Sequence, residues 1–91
     1  MAIKSEISWR RTDEAGNRLE IYARRFGGHW LFHQRARRHD VWQELPNPPL
    51  EDWLSLLDSL DRRMHRRLNT PDEVERVRRA IRERHPEAKI P

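Results

Sequence analysis

Between Leu45 and Leu50 the chain reads Pro46-Asn47-Pro48-Pro49, and the spacing of apolar residues differs on its two sides. Proline has no amide hydrogen to give to a ladder and pushes the preceding residue out of the helical region, so neither a strand nor a helix runs through this segment. Before it, apolar residues recur at every second position; after it, at every third or fourth. The first period belongs to strands and the second to helices. The chain is therefore constrained to a β half followed by an α half.

In the β half, Ile7 and Trp9 alternate with Ser8 and Arg10, and Leu19, Ile21 and Ala23 with Arg18, Glu20, Tyr22 and Arg24. Trp30, Phe32, Gln34 and Ala36 alternate with Leu31, His33, Arg35 and Arg37. Asp13 to Asn17 is a turn cluster. Gly27-Gly28 suits a two-residue hairpin, because both of its central positions accept positive φ. Arg38-His39-Asp40 reads as a third reversal, followed by a short strand from Val41 to Leu45. The expected register sets Thr12 opposite Arg18 and Phe26 opposite His29, with a two-residue turn at His39-Asp40. Ile7, Trp9, Leu19, Ile21, Ala23, Trp30, Phe32, Ala36, Val41 and Leu45 then share one face, and agreement among three separate turns supports a meander with one buried side.

In the α half, Leu50, Trp53, Leu54, Leu57, Leu60, Met64 and Leu68 form a helical stripe with Leu56 on its border. Glu51 and Asp52 open this helix and Arg62, Arg63, Arg66 and Arg67 close it, as the helix dipole favours. Thr70-Pro71-Asp72-Glu73 is a helix start: Thr70 caps, Pro71 occupies the first turn and Glu73 completes a capping box. Val74, Val77, Ala80 and Ile81 line that second helix. Asp58 with Arg62, Asp72 with Arg76 and Glu75 with Arg79 have the spacing of helical ion pairs. The expected fold is α+β: an antiparallel meander of three to four strands, then two C-terminal helices packed on one sheet face. It reads as a single domain over 1–91, with the sheet in 5–45, a Pro-rich linker in 46–49, helices in 50–68 and 71–85, and a tail in 86–91.

Composition narrows the chemistry. With 37% charged residues and no cysteine, disulfides, thiolate catalysis and Cys-based zinc sites are excluded. His29 and His33 would chelate a metal from one helix, but four residues apart on a strand they stand about 13 Å from each other. His39 and Asp40 fall in a turn, so no metal and no cofactor is expected. Ser5, Ser8, Ser55 and Ser59 lie in no nucleophile elbow and beside no positioned base, and Gly27-Gly28 lacks the flanks of a phosphate loop. The expectation is a protein that is not an enzyme. No run of 18 apolar residues and no basic-then-apolar N-terminus is present, so a membrane role is not expected and a cytoplasmic, bacterial protein is the default reading.

Nineteen Lys plus Arg against fifteen Asp plus Glu give a net charge of +4, and only Lys4 and Lys89 among the cations are lysine. Arginine is the better fork for phosphate and the better partner for aromatic rings, although codon bias in a GC-rich genome produces the same skew. By the expected register the outer sheet face carries Arg10, Arg18, Arg24, Arg35 and Arg37 with Tyr22, His33 and Trp42. Rows of guanidinium groups about 7 Å apart along a strand suit phosphates, and the rings offer surfaces for bases. Glu20 and Glu44, both beside Arg35 in that register, would neutralise part of the patch. Arg63, Arg66 and Arg67, with no acid one turn away, form a second basic patch. A helix-turn-helix role for the two helices is disfavoured, because Asp72, Glu73 and Glu75 would meet a polyanion first. Two readings remain: a small basic module binding RNA or single-stranded DNA, or a protein-interaction module or homodimeric adaptor that buries Trp42 and Leu31. An ordinary solvated sheet face with cross-strand ion pairs would also explain the pattern.

Overall fold

The computed structural model describes residues 6–26, 28–37, 39–66 and 70–90. Four strands, β1 (Glu6–Thr12), β2 (Arg18–Phe26), β3 (His29–Arg35) and β4 (Gln43–Glu44), precede two helices, α1 (Leu50–His65) and α2 (Pro71–Arg84). The chain divides into two compact units, with the boundary between Pro48 and Pro49.

In the first unit the strands form one antiparallel sheet in the order β1-β2-β3-β4. Thr12 faces Arg18, Trp9 faces Ile21 and Ile7 faces Ala23. Phe26 faces His29 and Ala23 faces Phe32, so both long hairpins keep the expected register. The first turn is held by Asp13, whose carboxylate accepts from the amides of Ala15 (2.9 Å) and Asn17 (2.8 Å) and from the Asn17 side chain (3.2 Å). Gly16 supplies the φ of +87° that lets the chain return. The hydrogen bonds from Asn17, its backbone amide foremost, hold the Asp13 carboxyl below its usual pKa.

The third reversal departs from expectation. It spans Arg37 to Asp40: the Asp40 amide donates to the Arg37 carbonyl at 2.9 Å, and the Asp40 carboxylate accepts from the Arg37 amide at 3.1 Å. This side-chain clasp closes the turn earlier than a two-residue loop at His39-Asp40 would. The β3–β4 register consequently moves by two residues, setting His33 opposite Glu44 and Gln34 opposite Gln43. A shift of two preserves which side each residue faces but removes partners from the ends. Strand β4 shrinks to two residues, Val41 is 84% exposed rather than part of the core, and Ala36 is exposed. The inner face is built from Ile7, Ile21, Ala23 and Phe32, all buried, with Trp9 edge-on to Phe32 at 6.0 Å. Leu19, Trp30, Gln34 and Leu45 are half-buried.

In the second unit α1 and α2 pack against each other. Trp53, Leu56, Leu57 and Leu60 are buried together with Asp52, whereas Leu50, Leu54 and Met64 are only half-buried. Leu56 is thus central to the apolar face and not on its border. Both stripes contain Trp53, Leu57 and Leu60, and periodicity does not choose which neighbour lies at the centre. Helix α1 ends at His65, three residues before the expected limit, where the Arg66 amide turns to the carbonyls of Arg63 and Met64. Leu68 lies outside the described residues.

Helix α2 begins as expected. The Thr70 hydroxyl accepts from the Glu73 amide at 3.3 Å, Pro71 opens the first turn, and Val74, Val77 and Ile81 are buried. The helix stops at Arg84, with His85 as its C-cap. Asp58 pairs with Arg62 and Asp72 with Arg76 one turn apart. Glu75 instead engages Arg78 and Arg82, not Arg79. Arg82 lies two turns along on the same helical face, within reach of a long side chain. No helix among the described residues is long and apolar enough to cross a membrane.

Candidate functional site

Strand parity places Tyr22, His33 and Trp42 on the outer side of the sheet, and the structure brings them into one cluster. Tyr22 and His33 stack at 4.7 Å, and the Trp42 ring meets Tyr22 edge-on at the same centroid distance. The Arg35 guanidinium carbon lies 4.2 Å from the Trp42 ring centroid, while its terminal nitrogen bonds Glu20 at 3.2 Å. All four ring and guanidinium side chains are half-buried, because they cover one another. The His33 Nδ1 and Arg35 Nε atoms are buried and have no hydrogen-bond partner among the described residues.

The remaining outer-face arginines are placed differently. Arg10, opposite Glu20, and Arg18, opposite Thr12, are exposed near one end of the β1–β2 pair. With Arg11, Leu19 and Ala36 they border an open groove of about 400 Å³. Arg24 is exposed near the other end of β2. Arg37 does not belong to this face as expected: β3 ends at Arg35, and Arg37 opens the turn that Asp40 clasps. Glu44 faces His33 and not Arg35, so the acid partner of Arg35 is Glu20.

One residue of this face escaped the sequence reading. Phe26 continues the even-numbered row of β2, is 65% exposed, and has the Arg24 guanidinium 5.9 Å from its ring centroid. Its parity and its place two residues after Arg24 were a usable signal. Its position beside Gly27-Gly28 drew attention to the turn instead.

The second basic patch is less open than expected. Arg63 is half-buried and engaged by other groups, Arg66 is exposed at the end of α1, and Arg67 lies outside the described residues. Among the described residues no three His, Asp or Glu side chains converge as metal ligands would. Comparison with family models, curated proteins and solved structures finds no match to this chain.

Proposed function

We propose that the protein is a non-enzymatic binding module that takes RNA or single-stranded DNA across the outer face of its sheet. The observation that carries this reading is the row along β2. There an exposed Phe26 ring with Arg24 beside it lies about 13 Å along the strand from Tyr22 of the Tyr22–His33–Trp42 cluster, and an exposed Arg18 lies at the far end. Exposed rings let bases stack whatever their identity, and flanking arginines follow the phosphates. Phe26 supplies the open stacking surface. The half-buried rings form a firm floor further along the strand, and Arg24, Arg18 and Arg10 supply charge. Arg35, committed to Trp42 and Glu20, positions that floor and does not itself contact the ligand.

Fluorescence anisotropy with a labelled twelve-nucleotide single strand, titrated at several salt concentrations, tests the reading. Affinity should fall steeply with salt, and Arg18→Gln with Arg24→Gln should lower the salt slope by roughly one per arginine. Phe26→Ala should weaken binding by about tenfold or more, the scale of one lost base stack. Absence of binding at low salt, or affinity unchanged in Phe26→Ala, would overturn the proposal and leave the protein-interaction reading.

A further inference from the structure

Strand β1 lies at an edge of the sheet, with β2 as its one neighbour among the described residues. In an antiparallel ladder, hydrogen-bonded pairs alternate with non-bonded ones. The Asp13 amide donates to the Asn17 carbonyl at 2.9 Å. Counting back from that bonded pair, Arg11 with Leu19, Trp9 with Ile21 and Ile7 with Ala23 are the bonded pairs. The backbone groups of Ser8 and Arg10, which lie between them, therefore point away from β2. Proteins commonly guard such edges with proline, bulges, very short strands or charged side chains; of these β1 has only charges, Glu6, Arg10 and Arg11. Strand β1 has seven residues, contains neither proline nor glycine, and pairs with β2 without a bulge.

We infer that the open edge of β1 takes the β1 edge of a second copy of this chain, antiparallel, about a two-fold axis at Ser8. The register follows from charge and polarity. With the axis at Ser8, Glu6 of each copy faces Arg10 of the other, and Ile7 faces Trp9 on the inner side. The outward-pointing backbone groups of Ser8 then bond to their own equivalents. Moving the axis to Trp9 sets the buried Ile7 against Arg11, and moving it to Arg10 sets two like charges face to face. Directly opposed unlike charges stabilise a strand pair and like charges destabilise it. An isologous contact of this kind closes on itself as a dimer. The joined sheet would have eight strands, and the inference does not depend on what the outer face binds.

The chain has no cysteine, so a single one reports on the axis. Under mild oxidation Ser8→Cys should form a covalent dimer. Thr12→Cys should not, since its two copies would stand about 27 Å apart at strand spacing. In the unmodified protein, sedimentation should approach twice the 11.1 kDa chain mass as concentration rises. The Ser8 and Arg10 amides should exchange with deuterium at least tenfold more slowly over the same range. Ser8→Pro, which removes an outward-pointing donor and sits on an edge strand where proline is tolerated, should return the protein to a monomer with its circular dichroism unchanged. A mass that stays at one chain, amide exchange independent of concentration, or equally fast cross-linking of Thr12→Cys would each overturn the inference. If Ser8→Pro fails to fold, exchange and cross-linking still decide it.

Discussion

Tyr22 and His33 face each other across β2 and β3, their rings parallel to within 8° and their centroids 4.7 Å apart. Directly opposed side chains are the unit by which a sheet is stabilised, and stacked rings add to the area they bury. The pair should therefore be energetically coupled. In a double-mutant cycle with Tyr22→Ala and His33→Ala, urea unfolding should give an interaction energy of about 0.5–1 kcal/mol. A value near zero would mean that the two rings merely lie side by side.

Arg35 joins two groups, Trp42 and Glu20. Its guanidinium carbon lies over the Trp42 ring, 4.2 Å from the centroid, and its terminal nitrogen holds Glu20, whose side chain is 30% exposed. Lysine keeps the charge but lacks both the flat surface and the fork. Arg35→Lys should therefore cost up to about 1 kcal/mol of stability, through the lost planar stacking on the indole and the lost fork rather than through charge. The change should also alter Trp42 fluorescence. Full stability in Arg35→Lys would show that charge alone holds the site.

The first hairpin turn carries a pH-dependent contribution. Hydrogen bonds from Asn17 lower the Asp13 pKa in the folded protein below the ordinary value of 3.8. The unfolded chain therefore takes up the proton first, and the contribution is complete above that value and lost as pH falls through the folded pKa. Asp13→Asn should be less stable than the unmodified protein at pH 6, and the gap should close toward pH 2. Thermal melts at four or five pH values measure this. A gap that stays constant with pH would contradict it.

Leu56 and Leu54 lie two positions apart on α1, yet Leu56 is fully buried and Leu54 only half-buried. Leu56→Ala leaves a cavity and should destabilise by about 2–5 kcal/mol, whereas Leu54→Ala should cost clearly less. Urea midpoints distinguish the two. The opposite ranking would restore the stripe that runs through Leu54 with Leu56 on its border.

Much of this was legible without coordinates, and for identifiable reasons. Strand parity is discrete: one slipped residue would turn Ile21 and Ala23 out to solvent. Tight turns with strong local chemistry, at Asp13 to Asn17 and around Gly28, therefore left only one register for β1, β2 and β3. Thr70 and Pro71 marked the start of α2 equally clearly, because a cap acts on its own neighbours. The alternation also placed Tyr22, His33 and Trp42 on the same side of the sheet.

What remained hidden was of two kinds. Asp40 clasping the Arg37 amide is a local bond, but the third turn could close at more than one position, and from the one taken follow the short β4 and the exposed Val41. Secondly, an alternating pattern does not say whether rings on one face will stand apart for a ligand or close on one another. Here they close, with Arg35 laid over Trp42 and tied to Glu20. Phe26, left outside that closure by its place at the strand end, keeps its surface open. Side-chain direction is a property of the local backbone, whereas the partner a side chain finds belongs to the folded whole.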